Sequence, residues 1–393
     1  MLRYFTAGES HGETLVAFLS GMPAGLKVEQ KFIDRELWRR QQGFGRGGRM
    51  KIEKDTAHIV SGIRHGKTIG SPIAILLENK DWKNWQEALP VEEGDPGKHK
   101  SVASPRPGHA DLAGALKYNF PEARYVLERA SARESAARVA IGALAKLFLR
   151  ELGIEVLSHV IAVGKATVGD AEISWQRLQQ LHGKDEVVLN CADSEAEERM
   201  KAEVDQALRT GDSVGGVFEV VAHGVPPGLG TYAQWDERLD GMLAQAVMSL
   251  QAVKAVEIGT GVGSAVSFGS SVHDEIGYEK TASAKFTGFT RKSNHAGGIE
   301  GGISNGEDIL VRGYLKPIST LRRPLASVNF ETREPVKAAY ERSDVCVVPA
   351  AGVAGEAMVA LTLAKCALEK FGGDSVSETL RNFEGYRKQL REF

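Results

Sequence analysis

Two stretches too apolar to lie on any surface set the terms for this fold. From 136 to 148 the chain carries Ala136, Ala137, Val139, Ala140, Ile141, Leu144, Leu147 and Phe148, apolar almost all the way round a helix. A second stretch runs from 351 to 371 and stops at Gly372-Gly373. A helix apolar nearly all round has to be covered on every side, so the first is predicted in the middle of the protein, and the second reads as a long apolar helix. Strand-like and helix-like segments alternate around them. Residues 57–63, 73–77 and 253–258 read as strands, and 33–42 as a short helix with Leu37 and Trp38 inward, stopped by Gly43. Residues 195–209 read as a surface helix with Met200, Val204 and Leu208 on one stripe, 236–250 as another helix, and 375–390 as an amphipathic one. Gly259, Gly261 and Gly263 lead into an alternating 265–268 segment, which reads as a glycine-rich hairpin. Residues 80–105 form a polar stretch with Trp and Pro, too long for a plain connection, and read as a lid or a partner-contact loop. No composition break or internal repeat interrupts the chain, so 1–393 is read as a single domain.

Bulk properties narrow the function. Of 393 residues, 42% are hydrophobic and 25% charged, ordinary values for a soluble globular protein. A formal net charge of −2 provides no global basic field for nucleic acid or an acidic membrane. Cys191, Cys346 and Cys366 show no CxxC spacing, which points to a thiol-reducing compartment and away from a metal site. Arg3, Glu9 and Glu13 break any signal-peptide pattern, and no run of about 18 uninterrupted apolar residues occurs. The expectation is a cytoplasmic protein with no membrane span and no nucleic-acid partner.

Against this neutral background, histidines and arginines gather in glycine-bearing turns. They are Gly8-Glu9-Ser10-His11-Gly12, Gly43-Phe44-Gly45-Arg46-Gly47-Gly48-Arg49, Arg106-Pro107-Gly108-His109-Ala110-Asp111 and Arg129-Ala130-Ser131-Ala132-Arg133-Glu134. Glycine lets backbone approach a ligand closely, and guanidinium forks match phosphate or carboxylate oxygens. Histidine exchanges protons near neutral pH. Together they suggest acid/base chemistry on a small anion. Each has a plainer reading as well. His11 could bond its own turn, and Asp111 could orient His109 or cap the next helix. Arg39 and Arg40 could compensate a helix dipole, and Asp344 could pair with Arg342. Arg129 and Arg133 flank the start of the first apolar helix, where Ser131-x-x-Glu134 reads as a capping box. The Gly43-x-Gly45-x-x-Gly48 match to a dinucleotide fingerprint follows a helix rather than a strand, and there is no GxxxxGK[ST]. A lone RGG-like element in a near-neutral chain is weak support for RNA binding, and its salt dependence would show it.

Three of these segments resemble the signatures of the chorismate synthase family, in the family's order. The first is Gly8-Glu9-Ser10-His11-Gly12 with Gly21-Met22-Pro23. The second is Glu128-Arg129-Ala130-Ser131-Ala132-Arg133-Glu134-Ser135 with Gly142. The third is Arg342-Ser343-Asp344-Val345-Cys346 with Glu356. One departure is Ser20, where the family usually carries an acidic residue.

The resemblance implies an α/β fold of β-α-β sandwich type, with central helices between two antiparallel sheets, and a homotetramer. It also implies a reduced-FMN-dependent 1,4-anti elimination of phosphate from 5-enolpyruvylshikimate 3-phosphate. His11 would deliver a proton at the phosphate, His109 would protonate the flavin, and Asp344 would help the flavin N5 act as a base. Substrate would be held by Arg40, Arg46, Arg49, Arg133 and Arg342. FMN would be held by Arg129, Ala130 and Ser131; by Gln251, Ala252 and Gly301; by Lys316, Pro317, Ile318, Ser319 and Thr320; and by Arg342. Arg40 and Arg46 would contact NADPH if the protein reduces its own flavin, and no metal is implied. A flavin-dependent oxidoreductase acting on an anionic metabolite is the alternative, and it would consume one NAD(P)H per turnover.

Overall fold

Two antiparallel sheets enclose the apolar helices. The computed structural model describes residues 2–47, 54–169, 173–279, 286–341 and 344–393. The first sheet holds β1 (Arg3–Ala7), β2 (Thr14–Ser20), β3 (His58–Ser61) and β4 (Ile73–Glu78), in the order β1-β2-β4-β3. The second holds β5 (Glu155–Val163), β6 (Ala166–Thr167), β7 (Gly216–His223), β8 (Val253–Ile258) and β9 (Ile309–Leu315), in the order β8-β9-β7-β5-β6. Every pairing in both sheets is antiparallel.

The helices that carry or support the site are α1 (Gln30–Gln41), α2 (Asp111–Tyr118), α3 (Arg124–Ala130), α4 (Ser135–Glu151), α5 (Leu239–Met248) and α6 (Val348–Phe371). α4 packs under the first sheet, α6 on the second, and the two helices pack against each other. Period-two alternation sets which strand side chains point inward. Leu15, Ala17 and Leu19 of β2 and Ile73, Ile75 and Leu77 of β4 face α4 and are buried. By length and apolar composition α6 could cross a membrane, but 83% of its most apolar window is buried inside the fold.

Glycine lets the central helices meet. A Cβ added at Gly142 would stand 2.3 Å from Ala357 Cβ and 2.6 Å from its Cα. Gly142→Ala is therefore expected to lower stability by ~1–3 kcal/mol through overpacking. Alanine's helix propensity, about 1 kcal/mol better than glycine's, acts against that loss. Urea unfolding would show the midpoint fall, whereas an unchanged or raised midpoint would mean that the crossing is loose.

Three local expectations need correction. The short helix starts earlier than 33, at Gln30. Residues 261–266 form a 3₁₀ helix rather than a hairpin arm, because Gly259 and Gly261 turn the chain with φ +58 and +50 and the Glu257 carboxylate accepts the Val262 N–H at 2.6 Å. The capping box is only half made. Ser131 Oγ accepts the Arg133 N–H at 3.2 Å, but it caps a 3₁₀ turn at 132–134 and α4 proper begins at Ser135. The Glu134 carboxylate instead accepts from Thr6 Oγ1, Arg138 and Gln251.

Candidate active site

The histidine turns come to rest on carboxylates. His11 follows Gly8, whose φ of +97 turns the chain out of β1. Its Nδ1 lies 2.8 Å from Glu128 Oε1, and its backbone N–H donates to Glu128 Oε2 at 2.7 Å. Glu128 is buried on α3 and held below the ordinary carboxylate range: burial pushes it up, but the bonds and charge of His11 and the charge of Arg124 outweigh that. An ionised carboxylate can only accept, so Nδ1 carries the hydrogen.

His109 follows Gly108 at φ +79 and places Nδ1 2.5 Å from Asp111 Oδ1. Arg106 clamps Asp111 from Nε at 2.8 Å and from Nη2 at 3.0 Å. Asp111 is fully buried yet held well below its usual range, because hydrogen bonds from His109 and Arg106 and their charges overcome desolvation. His109 Nδ1 therefore also carries its hydrogen. The 3.0 Å approach of Arg106 Nη2 to that nitrogen is two donors converging on one oxygen. Each histidine thus heads a His–carboxylate–Arg triad, the first completed by Arg124 at 3.3 Å from Glu128.

The arginines crowd around two acids. Arg40, buried in the last turn of α1, donates to Ser135 Oγ at 2.9 Å and to the Ala132 carbonyl at 3.1 Å. Its Nη1 is 3.5 Å from Asp55, which also accepts from Arg133 Nη1 at 2.6 Å. Arg46 pairs with Asp344 at 2.8 Å, and the same carboxylate accepts the Gly47 N–H at 2.6 Å. Burial lowers Arg40 to about 10; Asp55 opposes the fall, while Arg133 and Arg46 add to it. Three cations thus face two carboxylates, an excess of positive charge in a buried place.

A circuit of contacts joins these groups. From His11 it passes through Glu128 to Ser131, whose Oγ accepts the Arg133 N–H. Glu134 accepts from Gln251 Nε2 at 3.0 Å. Ala252, strained at φ +69, accepts the Lys316 N–H at 3.0 Å. Lys316 Nζ donates to the Gly108 carbonyl, one residue from His109, and Thr320 Oγ1 accepts from Arg106 at 2.9 Å. The Ile318 carbonyl accepts from Ser213 Oγ at 2.6 Å. The neighbouring Val214 N–H donates to the Val345 carbonyl, beside Asp344 and Arg46, which closes the ring.

Not every expected residue joins it. Arg129 spends its guanidinium on the Gly8 and Thr6 carbonyls, both at 2.9 Å, and so ties β1 to α3. Gly301 stands apart. It turns a hairpin beside the N-terminal end of α5, and its carbonyl accepts from Arg238 at 3.2 Å. Gln251 and Ala252 lie past the other end of that helix, whose length is ~15 Å. Arg49 and Arg342 lie outside the described residues. Glu128, Asp55 and Trp85 had no role assigned from the sequence. Trp85 stacks on His11 with ring centroids 3.9 Å apart. Its stretch also carries Trp82, and nothing local in the sequence singles out Trp85 from it.

The family is shown directly: the chorismate synthase model matches residues 2–368, and the chain belongs to that family. It is 75% identical over 393 residues to the chorismate synthase of Koribacter versatilis (strain Ellin345), covering all of both chains. It is 70% identical over 394 residues to that of Acidobacterium capsulatum, again covering both in full. It is also similar to a crystal structure of chorismate synthase, with a TM-score of 0.78 and 41% identity across 100% of this chain and 99% of that one.

Proposed function

We propose that the protein is a carbon–oxygen lyase that converts 5-enolpyruvylshikimate 3-phosphate to chorismate by 1,4-anti elimination of phosphate, the last step of the shikimate pathway. Family membership supports the reading, and the observation that carries it for this chain is the excess of guanidinium around Asp55 and Asp344. A dianionic leaving group is the charge that such a place is built to receive. His11 would hold a proton for the departing phosphate, and His109, across the circuit, would protonate the cofactor. Asp344, which accepts from the Gly47 N–H and pairs with Arg46, would help the flavin N5 act as a base.

The residues fit a bound reduced FMN. Ala130 and Ser131, Gln251 and Ala252, and the 316–320 stretch would hold it: Gln251 bonds to Glu134 just past Ser131, Ala252 accepts the Lys316 N–H, and Lys316, Ser319 and Thr320 carry donors suited to a flavin phosphate. When bound, the reduced flavin would supply electron density for C–O cleavage and a site for the hydrogen lost from C6. The reaction is redox-neutral overall, so product formation consumes no stoichiometric NADPH, whereas an oxidoreductase would use one per turnover. Arg40 and Arg46 would meet NADPH only during any reduction of oxidised FMN.

Arg46→Ala is expected to raise KM about 10–100-fold with a smaller change in kcat, because charge-assisted contacts worth about 1.5–3 kcal/mol are lost in ground and transition state alike. Steady-state phosphate release measures it, and an unchanged KM would remove the anion-clamp role.

The outer face of the first sheet supports self-association. Phe5 is 68% exposed and pairs with Phe18, while Val16 pairs with Leu76 on the same apolar face. In our reading this face meets a second copy within a homotetramer of single-domain, cytoplasmic subunits.

A further inference from the structure

We propose that Glu128 and Trp85 are positioning residues for the elimination: together they fix His11 in the Nδ1–H form and in one ring plane, making Nε2 the atom that hands over the proton. The inference rests on the lyase reading above and adds to it how His11 is aimed.

The geometry is specific to this histidine. Glu128 bridges the His11 ring and its own backbone N–H at 2.8 and 2.7 Å, so ring and turn move as one unit. The Ser10 N–H also donates to the Glu128 carbonyl at 3.0 Å, which anchors the turn to α3 a third time. Trp85 lies against the ring at 25° between planes. Its Nε1–H donates to Asp81 Oδ2 at 3.0 Å, which fixes the indole within the 80–105 stretch. The flat indole face holds the plane of the imidazole against it. His109 has the carboxylate and the arginine but no such aromatic partner among the described residues.

Other charges face the same place. Arg124 lies over Trp85 at 5.3 Å and pairs with both Glu128 and Glu341, so two carboxylates offset it. Lys100 lies over Trp85 at 3.9 Å but is exposed and screened by water. Asp81 adds negative charge beyond the indole, and Arg129 is held by the Thr6 and Gly8 carbonyls. The Glu128 carboxylate is buried and in direct contact with the ring, so it dominates. The 80–105 stretch, too long for a connection, thereby gains a role: it carries the aromatic wall of the acid.

The test uses Glu128→Gln, Trp85→Leu and Trp85→Phe in the full-length protein. Ring ¹⁵N resonances of His11, assigned with His11→Gln, are recorded at alkaline pH without cofactor or substrate, where they report which ring nitrogen carries the hydrogen. The wild type is expected to show a protonated Nδ1 and a bare Nε2, and Glu128→Gln a mixture of the two forms, because a side-chain amide can donate as well as accept. Trp85→Leu should broaden the ring resonances, and Trp85→Phe should restore most of their sharpness. In phosphate release with reduced FMN, kcat should fall about tenfold or more for Glu128→Gln with KM nearly constant. A His11 ring that stays wholly Nδ1–H in Glu128→Gln overturns the proposal whatever the activity, and so does a kcat that holds while the tautomer changes. A wild-type protein that releases no phosphate would overturn the lyase reading instead, with the ring resonances still deciding the role of Glu128.

Discussion

His109→Ala should release phosphate ~10²–10⁴-fold more slowly than the wild type while keeping its fold, the loss typical of a removed general acid. The structure makes this a clean substitution. His109 sits at the mouth of its turn, and its side chain is 18% exposed. Truncation does not orphan Asp111, because Arg106 still holds that carboxylate from Nε and Nη2 and through the backbone N–H at 3.0 Å. Arg106 also keeps its bond to Thr320, so the turn stays docked on the 316–320 stretch. Turnover within about threefold of wild type, with an unchanged melting curve, would remove His109 from the chemistry.

The second large effect lies in the core. Glu356 is fully buried in α6 and accepts from Arg39 Nη1 and Nη2 at 2.9 and 2.6 Å, from Ser158 Oγ at 2.6 Å and from Lys146 Nζ. Glu36 completes the cluster, 2.8 Å from Arg39 and 2.5 Å from Lys146. Two carboxylates balance two cations where α1, α4, α6 and β5 meet. Glu356→Gln leaves Arg39 and Lys146 facing Glu36 alone, an uncompensated buried charge that should cost ~3–5 kcal/mol. Denaturant unfolding measures this, and a loss below about 1 kcal/mol would mean that the cluster is hydrated and weak.

The same cluster sets an acid limit. Burial pushes Glu356 up, but Arg39 and Lys146 hold it far below the ordinary carboxylate range. Its folded pKa is therefore lower than its unfolded one, near 4.3. The unfolded chain binds the proton first, so this contribution is complete above about pH 5 and is lost as pH falls toward the folded value. His182, lowered to about 4 by burial and by the charge of Arg39, adds to the loss because the unfolded state also protonates it first.

Much of the architecture was legible because all-round apolar helices have few places to go. The apolar stretches at 136–148 and 351–371 became helices between the two sheets, and the apolar 73–77 segment became an inner strand of the first sheet. What sequence could not supply was pairing across long separations. Nothing local marks Asp55 as the acid shared by Arg40 and Arg133, or Glu128 as the partner of a histidine 117 residues away. Arg39 and Arg40 looked alike as dipole-compensating residues, yet one joined the Glu36–Glu356 cluster and the other the guanidinium-rich site. The 259–263 glycines misled because the Glu257 carboxylate, five residues before Val262, accepted its N–H and capped a 3₁₀ turn that the alternating pattern had concealed.

The account rests on loops distant in sequence forming one cationic site that expels phosphate. Anaerobic incubation of the protein with dithionite-reduced FMN and 5-enolpyruvylshikimate 3-phosphate tests that most directly, with phosphate and chorismate followed together. The expected result is one phosphate per chorismate, with the flavin still reduced at the end. Oxidation of one flavin per product, or no phosphate release while FMN binds normally, would contradict it.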